Sequence, residues 1–263
     1  NPYSFTAWYN LGNTYSKEEN FNDAVTAYEY CVAINDRFSP AYFNMGNAQL
    51  TLEQYRESIE SFERCIEIDG DDPLTYCYLG EANEQLNNLD LAWDFYQKAL
   101  SLAPNLAEAW LGLGIVKDLK GQPKESLHYI ERALELEPNM DGYYHVYAGA
   151  LENAGLLEEA EEAYLACLTL DPGNEDCFFD YVDFLLEHHV GKARTFVENY
   201  FLKHQLFFSV LPIIYFNWVS GNLEGAKIVL VESLNKDAEK TKDVFIRYPE
   251  LADVQELVNL TRS

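Results

Sequence analysis

The sequence predicts an all-α fold, an α-solenoid of stacked antiparallel helical hairpins, and three observations carry that expectation. Aromatic residues recur every 34 positions, at Trp8, Tyr42, Tyr76, Trp110, Tyr144 and Phe178, with no insertion or deletion between them. Small residues keep the same register, first at Gly12, Gly46, Gly80, Gly114 and Ala148, then at Ala24, Ser58, Ala92, Ser126 and Ala160. Each unit also holds two apolar stripes of helical spacing, separated by a polar turn such as residues 18–23.

Each unit therefore reads as one helical hairpin. In its first helix the leading aromatic is followed three residues on by Leu11, Met45, Leu79, Leu113, Tyr147 or Tyr181. The small columns let the two helix backbones approach, and Tyr28, Phe62, Tyr96, Ile130 and Tyr164 form an apolar column on the second helix. The leading aromatic is expected to fill the gap toward the neighbouring unit. Ser39 before Pro40 and Asp72 before Pro73 read as helix N-caps with proline in the first turn. Pro104, Pro138 and Pro172 close later units. A single hairpin cannot bury both apolar faces, so the units must stack into a superhelix with a concave and a convex side.

Trp8, Leu11, Gly12 and Tyr15 meet literally the pattern of the tetratricopeptide repeat, and the chain resembles that family over about 190 residues. The resemblance implies a right-handed superhelix in which the first helix of each hairpin lines the concave groove. Groove side chains in that family bind extended or helical peptide segments. Five regular units are expected, at 5–38, 39–72, 73–106, 107–140 and 141–174, with the start of a sixth up to 190. In the sixth unit the turn at 189–192 is one residue short, placing Ala193 and Val197 in the small and apolar columns.

Residues 191–263 read as a divergent hairpin and C-terminal capping helices. The hairpin pairs 206–220, apolar nearly all round, with 225–235. Two short helices, 236–247 and 250–260, are broken at Pro249 and supply its cover. As an alternative, Phe245, Ile246, Leu251, Val254 and Leu257 form a partner-binding or self-association surface. At the other end, Asn1 and Pro2 share the register of Asp171 and Pro172, from which further repeats are expected upstream.

Net charge is −26, and the whole excess sits in residues 1–190, because 191–263 are balanced. Such a field attracts cationic partners and argues against direct nucleic-acid binding and membrane insertion. Five cysteines lack metal-ligand or disulfide spacing; buried thiols in a reducing, cytoplasmic compartment are the expectation. No phosphate loop, nucleophile motif or metal motif is present, so neither catalysis nor a cofactor is expected.

Carried over residue by residue, the resemblance places Tyr9, Asn10, Asn13 and Lys17 in the groove, then Phe43, Asn44, Asn47 and Leu50, then Tyr78, Glu81 and Glu84. Glu108, Leu111, Asp118, His145, Glu152, Asp176, Asp180, Asp183 and Glu187 follow. An asparagine amide offers both a donor and an acceptor, so the asparagines suit a peptide backbone. Asp176, Asp180, Asp183 and Glu187 share one helical face and suit Lys or Arg. The clamp by which some family members grip a carboxylate terminus is not met. Asn13 and Asn44 match it, but Tyr9, Leu74 and Tyr78 replace its basic residues.

The expected function is a non-catalytic protein-interaction scaffold that binds a cationic or amphipathic segment of a partner in the groove. The alternatives are an assembly arm that homo-oligomerises through the C-terminal region, and a targeting or regulatory arm of a larger upstream protein.

Overall fold

The computed structural model describes residues 4–261; the register of Asn1 and Pro2 lies outside them. Helices α1 (Phe5–Lys17) and α2 (Phe21–Ile34) form the first hairpin, α3 (Ser39–Thr51) and α4 (Tyr55–Asp69) the second. The third is α5 (Pro73–Gln85) with α6 (Leu89–Leu102), and the fourth α7 (Ala107–Leu119) with α8 (Pro123–Leu136). Then come α9 (Asp141–Asn153), α10 (Leu157–Leu170), α11 (Glu175–His188) and α12 (Val190–His204). A 3₁₀ turn, Phe208–Val210, leads into α13 (Leu211–Val219), followed by α14 (Leu223–Lys236) and α15 (Ala238–Arg247). A second 3₁₀ turn, Pro249–Asp253, precedes α16 (Gln255–Leu260). The chain forms two compact units that meet in sequence at Ala160 and Glu161.

The first three hairpins are each closed by a ring seated on a glycine, and the fourth by Ile130. A Cβ on Gly12 would stand 2.5 Å from the Tyr28 ring, on Gly46 2.8 Å from Phe62, and on Gly80 2.7 Å from Tyr96. Gly114 meets Ile130 in the same way, at 2.5 Å. The small column is thus the socket and the apolar column of the second helix is the knob. Tyr28, Phe62 and Ile130 are fully buried there.

The leading aromatics stack within their own hairpins and also reach neighbouring repeats. Trp8 stacks on Tyr30 with centroids 4.6 Å apart, and Tyr76 on Phe95 and Trp110 on Tyr129 at 6.1 Å, while Trp110 Nε1 donates to the Pro104 carbonyl of the preceding repeat at 2.9 Å. Other rings add contacts between hairpins. Tyr78 stacks on Phe62 at 5.4 Å, and Trp93 meets Tyr129 edge-on at 5.6 Å.

The turn inside each hairpin is also repeated. Glu19, Glu53, Asn87, Gly121 and Gly155, again 34 apart, all have φ between 58° and 77°. The amide after each donates five residues back, as in Asn20 to the Tyr15 carbonyl at 2.9 Å and Gln54 to Gln49 at 2.8 Å. This is the Schellman closure, which requires a left-handed residue. At the sixth hairpin the turn shrinks to His189 alone, with φ −142°, and α12 begins at Val190 inside the stretch expected to be loop.

Of the two expected caps, Asp72 accepts the Thr75 amide at 2.8 Å and is the N-cap of α5. Ser39 is not a cap. It stands in the first turn of α3 with its hydroxyl directed to the Asp69 carboxylate of α4, a long-range bond that outcompetes the local one.

In the second unit Phe178 is fully buried among Phe196, Tyr200 and Phe208, with centroids 4.9–5.8 Å away. Helix α13 packs on α12, α14 and α15, and Tyr215 stacks on Tyr248 at 4.4 Å. Leu251 and Leu257 are fully buried, whereas Ile246 is 80% exposed. All five cysteines are buried thiols. Among the described residues no helix is long and apolar enough to cross a membrane.

The socket makes a paired prediction. Gly46→Ala forces a methyl into Phe62 and should destabilise the first unit by about 1–3 kcal/mol. Gly149→Ala, at a helical glycine with open space around it, should stabilise by roughly 0.5–1 kcal/mol. Urea denaturation of both variants checks the pair; equal effects of the same sign would defeat the assignment.

Candidate functional site

Within the first unit α1, α3, α5, α7 and α9 each touch the next, so their outward residues form one face. The inferred groove residues of these helices lie at its successive junctions. Asn10 is exposed, while Tyr9, Asn13, Phe43, Asn44, Asn47, Tyr78, Glu84, Asp118 and Glu152 are half-buried.

At the α1–α3 junction the asparagines are bonded to each other. Asn13 Oδ1 accepts from the Tyr28 hydroxyl at 2.8 Å and from Asn44 Nδ2 at 2.8 Å, and Asn44 Nδ2 also reaches the Tyr9 hydroxyl at 3.2 Å. Asn47 differs: its Oδ1 is buried without a hydrogen-bond partner. With Lys17 and Ser16 it lines a cavity of about 400 Å³.

At the α3–α5 junction rings fill the space. Phe43 packs against Phe62 and Tyr78 at 5.9 and 5.6 Å, so these two inferred anchors also hold the hairpins together.

The α5–α7 junction is open. A cavity of about 360 Å³ lies between Leu74, Tyr78, Glu81 and Glu84 on one side and Glu108, Leu111 and Ile115 on the other. Its floor is the Tyr96 ring. The position that carries Asn44 at the first junction and Tyr78 at the second carries Gly112 here, one period later. A Cβ on Gly112 would stand 2.2 Å from Tyr96. The glycine lets the α7 backbone lie against the Tyr96 ring, which is buried, and sends no side chain into the cavity.

Electrostatics at this junction are unusual. The Tyr96 hydroxyl donates to Glu84 Oε2 at 3.0 Å. Burial, reinforced by the charge of Glu81, pushes the Glu84 carboxyl up to about 7 despite that bond. Burial raises Glu81 as well. The Cys77 thiol is pushed up to about 12 by burial and by Glu108, Glu81 and Asp72, so it is inert as a nucleophile at neutral pH.

At the α7–α9 junction Asp118 Oδ2 accepts from Asn153 Nδ2 at 2.8 Å, while its Oδ1 is buried without a partner. Glu152 neighbours Asn153 on α9.

Asp180 and Asp183 belong to the second unit, where α15 lies over them. The Arg247 guanidinium sits 3.9 Å from the Phe179 ring centroid, 3.5 Å from Asp183 and 4.0 Å from Asp180. Asp176 and Asp183 line a cavity of about 470 Å³ beside it. Sequence reasoning missed Arg247, Gly112 and Tyr96 as site residues. Gly112 was detectable as a second glycine two residues before the one the repeat requires.

Glu84 gives a pH prediction whose sign is fixed. A carboxyl raised in the folded state favours the protonated form, so its stabilising contribution is present below about 4.5 and is lost as pH rises through about 7. Water reaches this half-buried group, which cuts the effect to roughly 1 kcal/mol. Glu84→Gln should therefore raise the melting temperature at pH 8 and leave it nearly unchanged at pH 4.5; thermal melts across that range check it.

Comparison with known proteins agrees with this architecture. Models described as tetratricopeptide repeat match residues 5–38, 39–72, 75–106 and 111–175. No curated protein matches the chain. Among solved structures, the tetratricopeptide protein TTC0263 of Thermus thermophilus is 22% identical, with a TM-score of 0.62 over 70% of this chain and 100% of that one. YrrB, described as a tetratricopeptide protein with an unusual peptide-binding site, is 20% identical, with a TM-score of 0.50 over 69% and 93%. The APC/C hetero-tetramer Cut9-Hcn1 gives 16% identity and a TM-score of 0.65 over 94% of this chain and 43% of that one. At these identities the likeness is one of fold. With four matched segments on the hairpins described above, the chain belongs to the tetratricopeptide repeat family, whose members generally serve as protein–protein interaction modules.

Proposed function

We propose that this chain is a non-catalytic scaffold whose first-helix face, over α1 to α9, binds a cationic or amphipathic segment of a partner protein. The observation that carries this reading is an excess of unsatisfied acceptors on that face. Asn47 Oδ1 and Asp118 Oδ1 are buried without partners, and Glu81, Glu84 and Glu108 line the α5–α7 cavity with no cation among its described lining residues. A buried acceptor left unpaired costs about 1–3 kcal/mol, which a ligand recovers by bringing a donor. Backbone amides and the heads of Lys and Arg are donors; carboxylates are not. The occupant is therefore rich in N–H groups and positively charged, in keeping with the net charge of −26.

Inferred contacts fall to Tyr9, Asn10, Asn13, Phe43, Asn44, Asn47, Tyr78, Glu81, Glu84, Glu108, Asp118 and Glu152 in the first unit. Asp180 and Asp183 supply the same chemistry in the second. Aromatic faces give area and the amides give orientation.

Fluorescence anisotropy with a labelled basic amphipathic peptide, and with an acidic peptide of equal length, tests the reading. The basic peptide should bind and lose about tenfold in affinity between 50 and 500 mM salt. Asn44→Ala combined with Asn47→Ala should weaken it several-fold with an unchanged circular-dichroism spectrum. Equal binding of the acidic peptide would sink the proposal.

A further inference from the structure

We propose that the α5–α7 cavity is an anchor pocket for a single arginine side chain of the bound partner. The inference deepens the scaffold reading and rests on it. It starts from shape. At the first junction Asn44 is tied to Asn13 and Tyr9, and at the second Tyr78 lies on Phe62. At the third the equivalent position, Gly112, brings no side chain into the space between the helices, and its backbone lies against the buried Tyr96 ring. About 360 Å³ lies at the small end of ligand clefts, room for one long side chain.

The lining selects a guanidinium. Among the described residues lining it the cavity holds Glu81, Glu84 and Glu108 and no cation. Leu74, Tyr78 and Leu111 supply apolar and aromatic walls for the methylene stem. A planar, weakly hydrated fork with several donors suits two carboxylates beside an aromatic face better than a compact ammonium does.

The same chain contains a worked instance in its second unit. Asp183 stands three repeat periods after Glu81, and Asp180 three after Tyr78. There Arg247, delivered by α15, lies against Phe179 with its guanidinium facing both aspartates. The carboxylate position that lines the open cavity in one unit holds an arginine in the other.

Ionisation supports this geometry. Glu84 shares the cavity with Glu81, Tyr78 and Cys77 on α5, Tyr96 on α6 and Glu108 on α7; burial and the Glu81 charge raise the cost of its charge, and the Tyr96 hydroxyl offsets part of it. An entering cation removes that cost, so occupancy should grow from pH 6 to pH 8.

The test is ¹⁵N chemical-shift titration of the full chain with N-ethylguanidinium and with butylammonium, followed by hexa-arginine peptide. Expected are saturable shifts at the Glu81, Glu84 and Gly112 amides, with N-ethylguanidinium about fivefold tighter than butylammonium. Glu81→Gln with Glu84→Gln should abolish these shifts and weaken hexa-arginine about tenfold. The double glutamine variant adds no volume, so loss of the shifts in it reports on the carboxylates. Shifts spread evenly over the acidic surface, or retained in the glutamine variant, overturn the pocket. Hexa-arginine bound equally by the wild type and the glutamine variant removes the pocket but keeps the scaffold reading, whereas no binding to either removes both.

Discussion

Much of the first unit depends on one steric constraint: in its first four hairpins a large apolar side chain on the second helix, a ring in three of them and Ile130 in the fourth, occupies the volume where the first helix would carry a Cβ. The distances of 2.5–2.8 Å at Gly12, Gly46 and Gly80 mean that no other residue fits without displacement. This contact sets the separation of the two helices and, through the turn 34 residues apart in each unit, their register. Burial alone would tolerate many hydrophobic pairings. The glycine socket requires one large side chain on the second helix and no Cβ on the first.

That constraint explains how much was legible in the residues. The hairpins, the small column and its apolar partner could be read directly, because each is a local, periodic demand of helix packing. Less legible were features that depend on which neighbour wins. Trp8 and Trp110 were expected to fill the gap between units; they also stack on Tyr30 and Tyr129, because the second helix of the same hairpin offers an aromatic face. Ser39 was read as a cap from its place before Pro40, yet its hydroxyl has a carboxylate partner thirty residues away. No local pattern could disclose Asp69. The shortened sixth turn was noticed as a missing residue, but its result, a hairpin turning on His189 alone, is a matter of backbone geometry.

The candidate face was legible in outline and not in detail. Placement of Asn13, Asn44, Glu81 and Glu84 on first helices follows from periodicity. What each does with its hydrogen bonds does not. Asn13 and Asn44 look alike in the sequence and are mutually bonded, whereas Asn47, one turn along, keeps an orphan oxygen. Two acidic residues of equal formal charge likewise differ: Glu84 is raised by burial, while Asp183 lies against a guanidinium. Charge counts place a field on the chain; only packing shows where the field is uncompensated.

Gly112 shows how a nearly uniform array acquires a distinct address. Every unit of the repeat offers the same scaffold, so a difference must be written at one position without disturbing the register. Here the writing is done by deletion. Where neighbouring units carry Asn44 and Tyr78, Gly112 presents only backbone beside a cavity lined by Glu81, Glu84 and Glu108. A repeat protein of this kind can change what it recognises by codon changes that subtract atoms, leaving the sockets that build it untouched.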